Sequence, residues 1–87
     1  TAGRVHTEIQ APIEAASADL AAINSVKKVT SDILEDGWIH FTLWSDSGSD
    51  TRLCIHKLCA AKDWPLRSLS RHDAKLEDVF VELTRKD

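Results

Sequence analysis

The chain is short of glycine: three in 87 residues, at Gly3, Gly37 and Gly48. None belongs to a Gly-x-x-x-x-Gly-Lys-Ser/Thr loop, so the usual cradle for nucleotide phosphates is missing. A Gly-x-Ser-x-Gly elbow and a His-Glu-x-x-His pair are missing too, which makes an active site improbable on motifs alone. Apolar runs reach only three or four residues, against the about 20 that a transmembrane helix needs. No charged-then-apolar leader is present. A basic excess is lacking as well: 11 basic against 14 acidic residues give a net charge of -3. That balance argues against nucleic acid or an anionic membrane as the main partner. Two cysteines, Cys54 and Cys59, are too few and too close for a secreted disulfide framework. Five residues apart on a helix, they point about 140° away from each other. A reduced, cytoplasmic state is expected.

What is present is the composition of one small globular domain, 43% hydrophobic and 29% charged. A domain of this length buries about 60–65% of its unfolded surface, so its core is thin. The chain starts at Thr1 rather than Met, and the expectation is a piece of a longer protein.

Arg4 to Gln10 alternates, with Val5, Thr7 and Ile9 on one face and His6, Glu8 and Gln10 on the other. That is a half-buried strand. Ala11-Pro12 opens a helix carrying Ile13, Ala16, Leu20 and Ile23 at helical spacing, closed by Asn24-Ser25. Val26 to Leu34 reads as a second strand, and Glu35-Asp36-Gly37 as a tight turn. Trp38 to Trp44 is the strongest strand. Ile39, Phe41 and Leu43 form one face and Trp38, His40, Thr42 and Trp44 the other. Both faces are largely apolar, the mark of a central strand covered at least partly on both sides. After the loop Ser45 to Ser49, Ser49 or Asp50 caps a helix running to about Lys62, with Cys54, Ile55, Leu58 and Ala61 on its buried side. Asp63-Trp64-Pro65 breaks it. Leu66 to Ser70 is a short strand, and Arg71-His72-Asp73 leads into a last helix. There Leu76, Val79, Phe80 and Leu83 fall at i, i+3, i+4 and i+7.

The order β-α-β-β-α-β-α predicts an α+β fold. Its core, residues 1–71, is a ferredoxin-like βαββαβ sandwich with an antiparallel sheet and two helices on one face. The first and third strands are central, and an amphipathic C-terminal helix, residues 73–86, must bury its stripe elsewhere.

Few residues carry chemistry. His56 and Cys59 are three apart on a helix, but a structural zinc site needs four ligands and no second pair is evident. They read as a solvent-edge histidine beside a half-buried thiol; no metal or cofactor is expected. His6 and His40 fall on neighbouring strands and the same face, as a pH-sensitive pair or, on burial base rates, as polar surface or cover for the last helix. Trp38, His40 and Trp44 raise the comparison with sheets that stack RNA bases. The strand has no flanking Lys or Arg, and the first strand offers His6 instead of an aromatic. Packing against the last helix or a partner protein is the preferred reading of Trp38 and Trp44.

The stretch Leu76-Glu77-Asp78-Val79-Phe80-Val81-Glu82-Leu83-Thr84 closely resembles the Leu-Glu-Asp-Val-Phe-Leu-Glu-Leu-Thr ending of ATP-binding subunits of bacterial ABC transporters. That class pairs with a separate membrane permease in drug, antibiotic or gliding-related export. Leu20 to Ile23 with Val26 and Val29, and Ala60 to Leu66 with Leu69, resemble earlier segments of the same ending at pattern level. Lys75 departs from the Ser or Thr the family usually has there.

The resemblance implies a non-catalytic C-terminal regulatory or dimer-stabilising domain, placed after an ATP-binding domain that would hold ATP and Mg. Its implied partners are that upstream domain, a second copy of the ATPase subunit and the membrane permease, with no nucleic acid. Its implied location is cytoplasmic, peripheral to the inner face of the membrane. The residues expected to make protein contacts are Leu76, Val79, Phe80, Leu83, Trp38 and Trp44. A small-molecule-sensing βαββαβ module is the alternative.

Overall fold

The computed structural model describes residues 3–46 and 49–73. The first strand, β1 (Gly3–Gln10), alternates buried and half-buried positions along its whole length. Val5, Thr7 and Ile9 are sealed in the core. Thr7 is polar there at no cost, because its hydroxyl donates to the Ser68 carbonyl at 2.8 Å.

Pro12 precedes α1 (Ile13–Ala21) and its carbonyl accepts the Ala16 amide at 2.9 Å. Ala16 and Leu20 are the buried positions of that helix, and Ile23 packs on the core from just beyond it. Next comes β2 (Val26–Ile33), largely exposed. The Glu35–Gly37 turn takes Asp36 to φ 57° and Gly37 to φ 80°, as the Asp-Gly pair promised. It delivers the chain into β3 (Trp38–Ser45), which buries Ile39, Phe41 and Leu43.

The second helix, α2 (Arg52–Lys62), starts behind Thr51, which makes no side-chain cap bond. Asp50 serves nearby instead: its carboxylate accepts the Arg52 amide at 3.1 Å. The helix ends at Asp63 in the left-handed region, with Trp64 N–H donating to the Cys59 carbonyl and Asp63 N–H to that of Ala60. Those two bonds form a Schellman closure, with Pro65 just after it. The last strand, β4 (Leu66–Asp73), follows at once.

The strands lie in the order β2-β3-β1-β4, and every neighbouring pair is antiparallel. This is the α+β arrangement expected of a ferredoxin-like sandwich, with β1 and β3 central. Val5, Ile9, Ile39, Phe41 and Leu43 from the sheet meet Ala16 and Leu20 of α1 and Ile55 and Cys59 of α2. Both helices therefore cover one face.

The face of α2 and the end of β4 differ from the sequence reading. The buried side of α2 is Ile55, Cys59 and the half-buried Leu58, whereas Cys54 and Ala61 are exposed. Cys54–Leu58–Ala61 and Ile55–Leu58–Cys59 both obey helical spacing, and burying the branched Ile55 releases more apolar surface from water than burying Ala61. Arg71-His72-Asp73 belongs to β4 rather than to a helix lead-in, because β1 begins at Gly3 and offers pairing partners as far as Gly3↔Asp73. The core thus extends through Asp73, and the expected helix with Leu76, Val79, Phe80 and Leu83 lies outside the described residues.

Candidate functional site

The sheet face opposite the helices gathers titratable and aromatic side chains. Register places its side chains in rows across the strands. One row is His72, Arg4, Trp44 and Lys28; the next is Ser70, His6, Thr42 and Thr30; the third is Ser68, Glu8, His40 and Asp32. A register shift between Glu8 and Ile9 frees Arg67 to join the far end, beside Trp38.

At the centre, His6 Nδ1 and His40 Nε2 are 3.0 Å apart, with the rings edge to face at 76°. Thr42 Oγ1 lies 3.4 Å from the same His6 nitrogen. His72 meets the other side of His6, its ring centroid 5.0 Å away at 87°, and the Ser70 hydroxyl is 3.5 Å from His72 Nε2. The outward nitrogen of His40, Nδ1, faces Glu8 Oε2 at 3.8 Å. Glu8 in turn accepts Arg67 Nε–H at 2.6 Å, and Arg67 reaches Glu35 at 3.5 Å. A chain of polar groups therefore runs from Glu35 through Arg67, Glu8 and His40 to His6.

Partial burial, followed by the nearby His72, His40 and Arg4, pushes the His6 imidazole below its ordinary value. The Glu35 carboxyl is held down first by its own backbone amide and then by Arg67, and Glu8 raises the Arg67 guanidinium through their hydrogen bond.

Both tryptophans are half-buried and each carries a cation. Arg67 Cζ lies 4.4 Å from the Trp38 ring centroid, and Lys28 Nζ 4.8 Å from that of Trp44. The sequence reading found no flanking Lys or Arg on this strand. The cations come from other strands, Lys28 from the adjacent β2 and Arg67 from β4 beyond β1, so only register could have revealed them.

The three histidines do not make a metal cage. His40 stands opposite Glu8 and His72 opposite Arg4, four residues of β1 apart, or about 13 Å along the sheet. Their rings flank His6 from either side, with centroids 5.2 and 5.0 Å from it, and do not converge on one point. Among the described residues no group of three His, Cys, Asp or Glu side chains is placed to hold a metal. His56 and Cys59 do not combine either: His56 is exposed, Cys59 is buried, and burial pushes its thiol up. No described helix is long and apolar enough to cross a membrane.

Of the residues expected to make protein contacts, Trp38 and Trp44 stand on this face at opposite ends of β3. Leu76, Val79, Phe80 and Leu83 are outside the described residues. No family model, curated protein or solved structure matches the chain.

Proposed function

We propose that this is the C-terminal regulatory or dimer-stabilising domain of an ABC transporter ATP-binding subunit that drives export through a separate permease. The observation that carries the reading is the ending Leu76 to Thr84, which resembles that family's ending and follows β4 by two residues, Ala74 and Lys75. The βαββαβ core supports it by its size and by presenting a face that neither described helix covers, rich in contact-forming side chains. In this reading the domain performs no chemistry. It works at the cytoplasmic side of the membrane by biasing how two ATPase subunits associate, and ATP and Mg belong to the domain upstream.

Burying Leu76, Val79, Phe80 and Leu83 at a contact contributes roughly 1.5–3 kcal/mol each before the entropy of ordering is subtracted. A coupling of even about 1–3 kcal/mol shifts a dimerisation equilibrium some 5- to 150-fold. The test is the coding sequence upstream of Thr1. A phosphate-binding loop, a Leu-Ser-Gly-Gly-Gln-like signature and a Walker-B aspartate within about one domain length are the expected result. In the whole subunit, Phe80→Asp is then expected to weaken ATP-dependent dimerisation. An unrelated domain upstream overturns the reading and leaves a ligand-sensing module in front.

A further inference from the structure

We infer that the outer edge of β2 is an interface between two copies of this chain, paired antiparallel about Thr30. The first argument is what that edge leaves free. β2 is an outermost strand, and among the described residues nothing pairs with its outer side. The Leu34 amide donates to the Trp38 carbonyl at 2.8 Å, and the pairing runs unbroken from there back to Lys28↔Trp44. Bonding alternates along an antiparallel ladder, so Lys28, Thr30 and Asp32 direct their backbone groups at β3. Val29, Ser31 and Ile33 direct theirs outward. This stretch holds neither proline nor bulge, because the register shift of β2 lies before Lys28. Ile33, at its end, is 76% exposed. An edge of this kind is a ready template for another strand.

The second argument is that the strand complements itself. A ladder forms only where outward-directed residues meet outward-directed ones, which restricts a twofold pair to registers centred on a single residue. Centred on Lys28 or Asp32, like charges stand face to face. Centred on Val29 or Ser31, both charges meet uncharged residues. Centred on Thr30, Lys28 of each copy faces Asp32 of the other, with Thr30 against Thr30 between the two pairs. Val29 and Ser31 then exchange the ladder bonds, and Ile33 comes diagonal to Val29 of the second copy. Asp32 has no ion pair among the described residues. Lys28 Nζ is held 4.8 Å from the Trp44 centroid, which leaves its ammonium donors for a carboxylate. An unrelated strand would need its own acid and base in the right order, whereas a second copy supplies them by symmetry.

This inference does not rest on the transporter reading, which the upstream sequence decides. Its own test is sedimentation velocity of the 87-residue chain over a concentration series, since so small a contact binds weakly, joined to amide exchange. A monomer–dimer equilibrium is expected. Exchange at Val29, Ser31 and Ile33 is expected to slow as the dimer forms, while that at Lys28, Thr30 and Asp32 stays constant. Lys28→Asp and Asp32→Lys each set like charges opposite one another and are expected to weaken the dimer about tenfold. An equimolar mixture of the two variants regains both opposite-charge pairs and is expected to associate again, which misfolded variants would not do. A chain that stays monomeric at every concentration overturns the inference. So do single variants that dimerise as well as the unmodified chain, or a mixture that associates no better than either variant alone. Outward amides already slow in the monomer overturn it too, assigning the edge to another part of the same chain.

Discussion

His6 and His40 face each other nitrogen to nitrogen at 3.0 Å, with His72 closing on the far side of His6. One nitrogen must donate, so at least one ring in the pair holds its proton at the contact. His6 is partly buried, and a second proton on it would also sit among His72, His40 and Arg4, which is why its imidazole resists protonation. The carboxylate of Glu8 faces His40 rather than His6.

The consequence for stability has a definite sign. The folded His6 lies below the ordinary histidine value of 6.5, so the unfolded chain takes up a proton first as the pH falls. Stability is full above about pH 6.5 and declines through the window below it, until folded His6 also protonates. Urea unfolding at pH 8, 7, 6 and 5 is expected to show that decline, and His6→Gln to flatten it. Asp50, held down to about 2 by Arg52, titrates well below this window. An unchanged slope in His6→Gln would assign the acid sensitivity to other groups.

Two left-handed positions invite opposite substitutions. Gly37 sits at φ 80°, and an added Cβ would meet Gln10 side-chain atoms at 3.6 and 3.8 Å, an ordinary contact. The cost of Gly37→Ala is therefore conformational: about 1–2 kcal/mol of left-handed strain, less the roughly 0.4–1 kcal/mol that alanine recovers from the unfolded chain. A net loss of about 1 kcal/mol is expected. Asp63, at φ 60° in the Schellman closure of α2, already bears such strain. Asp63→Gly is expected to gain up to about 1 kcal/mol, after glycine's extra unfolded-state entropy is charged against it. Denaturation midpoints with constant m-values check both.

The two thiols should separate by rate. Cys54 is exposed and Cys59 is buried on the core side of α2, where burial also disfavours its thiolate. Under native conditions an aromatic disulfide reagent is expected to modify one thiol quickly and the second only as fast as the domain opens. Two fast thiols would mean that α2 does not shield Cys59, whereas a slow Cys54 beside a fast Cys59 would mean that the helix is rotated toward the Cys54–Ala61 face expected from sequence.

How far the sequence was legible follows from where each feature is encoded. Strict alternation at Val5-Thr7-Ile9 and Ile39-Phe41-Leu43 marked the two central strands, because a period of two has no helical competitor over such lengths. It also put His6 and His40 on one face. The face of α2 was less legible, since two overlapping sets of residues share one helical spacing. The cations over the tryptophans were hidden altogether. Lys28 reaches Trp44 across a register shift between Val26 and Lys28, and Arg67 reaches Trp38 beside the shift at Glu8 and Ile9. Such shifts are settled by strand pairing and leave no local pattern. His72 joined the histidine cluster for a related reason: the length of β4 depends on how much of β1 is free to pair.

Thr7 offers a test of what holds that irregular edge. Its hydroxyl donates to the Ser68 carbonyl at 2.8 Å from a fully buried position, next to the register shift. Thr7→Val keeps the volume and deletes the donor, leaving a carbonyl acceptor unpaired, at an expected cost of about 1–3 kcal/mol. Thr7→Ser keeps the donor and deletes one methyl group, at about 0.8–1 kcal/mol. The order of the two variants is therefore diagnostic, and urea midpoints measure it. If Val is the worse substitution, the hydrogen bond anchors β4 against β1 and amide exchange at Ser68–Ser70 should accelerate with it. If Ser is worse, side-chain packing in the core dominates, and the edge is held by its ladder bonds alone.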